Sequence, residues 1–374
     1  MKCAQFLAAL ILASWLAVPA FAAKDQPWTT QKANEWYAHQ PWLVGSNFIP
    51  STAVNELGMW QADTFDLPTI DRELGWAQGL GMNTMRVFLH NLAWQQDPKG
   101  FIHRMDEFLQ VADKHHVRPM FVIFDSVWDP NPHIGKQPEP IPFVHNSRWV
   151  QSPGAAMLKD PSRWNKELKP YVTGVIGHFR NDKRVLAWDL MNEPDNDNPA
   201  YKSEELPNKA EAALALLKEE WKWARSVKPS QPLTSGVWRG DWSRETALSP
   251  MERFQLDNSD ILTFHSYDPP AEVQSRIDSL KRYNRPIICT EYMARPRGST
   301  FETILPLLKR DHVGAYNWGF VAGKTQTIFP WDSWEKHYTA EPEVWFHDIF
   351  HRDGSPYDPK ETALIRQLTG SAAN

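Results

Sequence analysis

Two acidic residues stand where apolar runs stop. Val185-Leu186-Ala187-Trp188-Asp189-Leu190-Met191 ends in Asn192-Glu193-Pro194, and Pro286-Ile287-Ile288-Cys289-Thr290 ends in Glu291-Tyr292. A carboxyl group at the tip of a strand-like run faces a cleft rather than a core, and at Glu193 a proline also closes off further pairing. Two such groups are what cleavage of a glycosidic bond needs, one to protonate the leaving oxygen and one to act as nucleophile or base. Glu193 would then hold its proton near neutrality, through apolar surroundings such as Trp188 and through the negative charge of Glu291. Glu291 would stay ionised, supported by the permanent charge of Arg86 and by a tyrosine hydroxyl. A separation of about 5 to 5.5 Å implies retention through a covalent glycosyl-enzyme, and about 6.5 to 9.5 Å implies inversion.

The elements that must position these acids alternate along the chain. Strands are predicted at 42–48, 82–90, 117–124, into Glu193, at 232–237, 260–268, 286–292 and 313–318. Helical spacing fills 68–80, 103–116, 163–180, 208–227, 271–283, 301–311 and 360–369, after an opening helix capped by Thr29 or Thr30. Eight βα units without a composition break favour a closed (β/α)8 TIM barrel in one domain; a doubly wound sheet is the alternative. In such a barrel the C-terminal strand ends converge. That places Asn47, Arg86 and His90, Asp125, Asn192 and Glu193, Trp238, His265 and Tyr267, Glu291 and Trp318 around one mouth, with the two acids on strands four and seven. His265 and Tyr267, two apart, share a strand face.

Asn192-Glu193-Pro194, His265-Ser266-Tyr267, Thr290-Glu291-Tyr292 and Trp318, in this order, closely resemble the cellulase-like glycoside hydrolases of family five and the wider clan of retaining (β/α)8 glycosidases. The resemblance implies Glu193 as acid/base and Glu291 as nucleophile. It further implies that Arg86 and Tyr267 hydrogen-bond Glu291, that Asn192 holds a sugar 2-hydroxyl, that His265 lines the catalytic centre, and that Trp318 floors the central subsite. The sequence departs from the family at Phe124-Asp125-Ser126-Val127-Trp128, where relatives commonly carry a histidine after the aspartate, and the substrate is left open among β-glucan, mannan and xylan types. His90, Asp125 and Trp238 are expected to contact substrate or support the site. Transglycosylation on the same residues and a non-catalytic carbohydrate-binding barrel are the alternatives.

Composition narrows the partners. A formal charge of −5 lacks the basic stripe that a nucleic-acid partner demands. The 19 tryptophans exceed what a core of this size uses, and stacking against sugar faces is one use for the surplus. Lys2, the apolar run 6–18 and Ala20-Phe21-Ala22 read as a signal peptide over 1–22 that directs residues 23–374 to the periplasm or outside, with no membrane association after cleavage. Cys3 would leave with it, so Cys289 is expected as a lone packed thiol. The expected protein is a monomer with a carbohydrate substrate. No cofactor or metal is expected, because the sequence has no His-x-x-x-His or clustered Cys/His signature. The long eighth loop, Gly319 to Tyr338 with Trp331 and Trp334, is in a position to wall off one end of the cleft.

Overall fold

The structure, a computed structural model, describes residues 26–371. The region read as a signal peptide lies outside the described residues. Eight parallel strands form one sheet, β1 (Val44–Asn47), β2 (Thr84–Phe88), β3 (Arg118–Asp125), β4 (Ala187–Asn192), β5 (Leu233–Thr234), β6 (Leu262–His265), β7 (Ile287–Tyr292) and β8 (Gly314–Asn317). Their order, β5-β4-β3-β2-β1-β8-β7-β6, is that of a nearly closed (β/α)8 barrel. The seam between β5 and β6 is carried by a single bridge, Val237 to Phe264.

β5 is shorter than the sequence suggests because side chains take over its backbone partners. The Gln255 amide donates to the carbonyl of Gly236 at 2.7 Å. The segment 163–180 is two helices, Pro161–Glu167 and Lys169–Phe179, and Pro170 lies in the first turn of the second. A helix at Pro250–Asn258 was not anticipated, although Ser249 and Glu252 cap each other reciprocally at its start. The remaining predicted helices form with ends displaced by a few residues.

Two apolar layers hold the strands in place. Outward-facing residues such as Trp188, Phe121 and Val87 pack under the helices in the main core. A smaller cluster of Leu43, Met120, Leu186, Ile261, Ile288 and Tyr316 fills the lower barrel interior, and the opening helix Thr30–Ala38 closes that end with Trp36 and Tyr37. Inside, Thr84 and Tyr316 hydroxyls meet at 2.7 Å, as do those of Thr234 and Thr263 at 2.8 Å. Glycine is obligatory at position 45, where a Cβ would lie 1.8 Å from the Thr84 carbonyl oxygen. Cys289 is buried in β7, and burial pushes its thiol pKa up, so it packs as a small apolar residue.

Candidate active site

The site grows from Arg86, which β2 carries into the barrel with no exposed surface. A guanidinium in that position needs anionic or carbonyl partners for all its donors. It donates to Glu291 Oε1 at 2.8 Å and Asn47 Oδ1 at 2.9 Å through Nη1. Through Nη2 it reaches Asn192 Oδ1 at 2.7 Å and Asp189 Oδ2 at 2.8 Å, and through Nε it reaches Asp189 again at 3.0 Å. Asp189 did not stand out in the sequence. It lies three residues before Asn192, on the opposite face of a regular strand, yet both meet Arg86.

Glu291 is 5% exposed at the end of β7. Burial raises its pKa, against which His265, the Arg86 charge and the Tyr267 hydroxyl all work. Tyr267 donates to Glu291 Oε2 at 2.7 Å. Opposite, Glu193 is 8% exposed and follows β4 in left-handed backbone, φ 40°, a conformation uncommon for a side-chain-bearing residue and frequent where function dictates geometry. Burial pushes its pKa up to about 7, despite a hydrogen bond at 2.6 Å from the Asn196 amide to Oε2. The apolar surroundings do not include Trp188, which points outward and stacks on Phe121 at 5.7 Å. Asp195, rather than Glu291, is the neighbouring negative charge that raises Glu193.

His265 links the two acids. Its Nδ1 lies 2.8 Å from Glu193 Oε1 and 3.5 Å from Glu291 Oε2. One atom from each of Glu193, His265 and Glu291 falls within 4.8 Å of the others. Burial lowers the His265 pKa to about 4 and so favours the neutral ring, whose Nδ1 is the atom that meets the Glu193 carboxyl.

The other expected residues fall into two groups. Asp125, Asn192, Trp238, Tyr267 and Trp318 line the cavity above the acids, which encloses about 290 Å³. The Asp125 carboxylate accepts from Trp149 Nε1 at 2.6 Å and Asn192 Nδ2 at 2.9 Å, and Trp238 Nε1 donates to Asp195 at 2.7 Å. His90 stands behind the site: fully buried, it accepts from Leu92 N–H through Nδ1 at 3.1 Å and donates through Nε2 to the Gln151 carbonyl at 3.1 Å. Its part is to anchor the segment that carries Trp149. Asn196, Trp128, Asn146 and Trp149 also line the cavity and carried no sequence signal beyond residue type; Asn196, three residues past Glu193 in a turn, was the most accessible to inference.

A buried carboxyl held near neutrality, a second one paired with a cation, and an aromatic-walled cavity above both can carry out acid-assisted displacement at a sugar carbon. Solved structures agree on the fold. The endo-β-1,4-mannanase from Thermotoga petrophila is 14% identical, with a TM-score of 0.55 over 88% of this chain and 76% of that one. The β-mannanase from the blue mussel Mytilus edulis is 17% identical, with a TM-score of 0.54 over 81% of this chain and 94% of that one. The exo-β-1,4-mannosidase from Opitutaceae bacterium strain TAV5 is 17% identical, with a TM-score of 0.55 over 88% of this chain and 59% of that one. No curated protein matches the sequence. The family model described as cellulase (glycosyl hydrolase family 5) matches residues 65–336, most of the chain, and the chain therefore belongs to glycosyl hydrolase family 5, as a glycosidase.

Proposed function

We propose that the protein is a retaining β-glycosidase in which Glu193 is the acid/base and Glu291 the nucleophile. The observation that carries this reading is the approach of the two carboxyls across His265, an oxygen of one lying within 4.8 Å of an oxygen of the other, which supports the closer spacing of double displacement, about 5 to 5.5 Å, over the about 6.5 to 9.5 Å of inverting pairs. In the first step Glu291 attacks the anomeric carbon while Glu193 gives its proton to the departing oxygen. In the second, ionised Glu193 takes a proton from water, the water oxygen displaces Glu291 from the sugar, and configuration is retained. Arg86 and Tyr267 orient the nucleophile and stabilise the carboxylate that leaves in the second step. Asn192, held by Arg86 and Asp125, presents its amide to the 2-hydroxyl of the sugar under attack, and Trp318 supplies the apolar floor.

The substrate class is a β-linked oligo- or polysaccharide of mannan, β-glucan or xylan type. Mannosides are the first to try, since the structures cited above include mannanases and a mannosidase. We place the enzyme outside the cytoplasm, on the strength of the N-terminal sequence. The test is turnover of Glu193→Ala and Glu291→Ala on soluble members of the three classes, with ligand binding measured alongside. Loss of turnover with binding retained is expected; persistent turnover by Glu291→Ala would overturn the assignment.

A further inference from the structure

The two acids stand on β4 and β7, on opposite sides of the barrel mouth. A sugar chain passing between them has to cross from the sector of β8, β1, β2 and β3 to the sector of β5 and β6. The first sector is covered. The segment after β3, residues 126–154, runs over it and is fastened at both ends.

Toward β1, Asn55 Nδ2 donates to Gln137 Oε1 at 2.9 Å and to the Arg148 carbonyl at 2.8 Å. Gln61 exchanges two hydrogen bonds with Gly135, at 2.7 and 2.9 Å. Toward β8, Asn146 N–H donates to the Thr325 carbonyl at 2.8 Å. Phe143 N–H donates to Gln326 Oε1 at 2.8 Å, and the same amide returns bonds to the carbonyls of Ile141 at 2.6 Å and Val144 at 3.0 Å. His145 N–H reaches Ser333 Oγ at 3.0 Å, and Trp128 stacks on Trp334 at 5.1 Å and 14°. The inner face of this strap, with Trp128, His145, Asn146 and Trp149, forms one wall of the catalytic cavity. Across the mouth, β6 is joined to its helix by residues 266–269 alone, and the longer segment 235–249 after β5 turns Trp238 into the cavity and leaves Arg239 exposed.

Asn146 adds a second observation. It is 2% exposed and lines the cavity, and its side-chain oxygen has no hydrogen-bond partner. That oxygen is closed to solvent, so the amide nitrogen is the end of the side chain that meets a ligand in the cavity. The ring under attack sits on the strap side, because Asn192 is turned that way by Asp125 of β3 and Arg86 of β2. The leaving portion therefore points to the open side. A volume of about 290 Å³ falls just under the range of small-ligand sites, about 300 to 1,000 Å³.

From this arrangement, and resting on the reading of Glu193 and Glu291 given above, we propose that the strap closes the non-reducing end of the cleft. The enzyme then removes sugars one at a time from chain ends, and the Asn146 amide hydrogen-bonds a hydroxyl that is free only at a chain end.

The experiment uses β-1,4-linked mannopentaose, cellopentaose and xylopentaose, labelled at the reducing end, with and without a 4-O-methyl ether on the terminal non-reducing sugar. The expected course is stepwise shortening of the labelled species with free monosaccharide, and at least about 100-fold slower turnover of the blocked chain, since a site built to bond a hydroxyl rejects its absence strongly. Labelled dimer or trimer among the first products, or equal rates on blocked and unblocked chains, would overturn the proposal. If those products vanish with Glu291→Ala, the assignment of Glu291 stands and only the end-on mode falls; if they persist, that assignment falls too. Two variants shown to be folded by thermal melting complete the test. Gln326→Ala combined with Trp334→Ala should release mid-chain fragments, and Asn146→Ala should cut the discrimination against blocked chains about tenfold. An unchanged product pattern in the first denies the strap its role, and an unchanged ratio in the second denies Asn146 its own.

Discussion

The ends of β4 and β7 carry the same residue, almost equally buried, in different electrical settings. Burial raises both carboxyls, so desolvation does not tell them apart. The partners do. Glu291 receives a guanidinium and a phenol, whereas Glu193 receives a neutral amide and lies beside Asp195. One environment favours a charge and the other tolerates a proton, which is the division of labour that double displacement demands. The ring of His265 touches both carboxyls, and it counts with Arg86 among the groups that hold the Glu291 pKa down.

That contrast is broken most directly by removing each acid in turn. Glu291→Ala should lower kcat by roughly 10⁵-fold or more whatever the leaving group. Glu193→Ala should cost about 10² to 10⁴-fold on ordinary glycosides, and far less in the first step on a dinitrophenyl glycoside, whose leaving group needs no proton. Pre-steady-state release of the phenol separates the two, and equal losses on the activated substrate would mean that the roles are not divided this way.

Arg86→Met comes next in size. It leaves Asp189 and Glu291 buried without their cation, a change that typically costs about 3 to 5 kcal/mol. Urea denaturation measures it, and a loss below about 1 kcal/mol would show that the guanidinium is not what holds the β7 carboxylate. A smaller effect sharpens the comparison at Glu193. With its pKa near 7, kcat/KM should fall as pH rises through about 7. Asn196→Ala removes a bond that favours the ionised form, so the carboxyl keeps its proton longer and the alkaline limb moves to higher pH. A limb that stays put, or moves down, would contradict the assignment of that limb to Glu193.

The smallest effect is on stability. The Glu193 pKa is raised on folding, so its contribution is complete below about 4.5 and is lost as pH rises through about 7. Glu193→Gln, which does not titrate, should flatten the wild-type decline across that window in melting temperature against pH.

The barrel was legible because its signals are local. Alternating apolar runs and amphipathic stretches recur eight times, and the polar residue at each strand end follows from where the run stops. Arg86, Tyr267 and His265 could thus be placed at one mouth with the two glutamates. The same reasoning placed His90 at the mouth, and the structure puts it behind, where it caps the helix Asn91–Gln96 and anchors Gln151. A side chain at a strand end can point to either side of the rim, and residue order alone does not say which.

The sequence by itself determined the architecture and the strand ends that carry Glu193, Glu291 and Arg86, because strand and helix periods are written within a dozen residues. Tertiary structure decided the rest. Asp189 and Asn192 reach one guanidinium although a regular strand would separate them, and Trp188 turns away from the acid it precedes. The strap joins Phe143 to Gln326 across 183 residues of chain through loops with no period to read. Irregular backbone takes its shape from the partners that satisfy its polar groups, and those partners exist only once the barrel has brought the distant loops together.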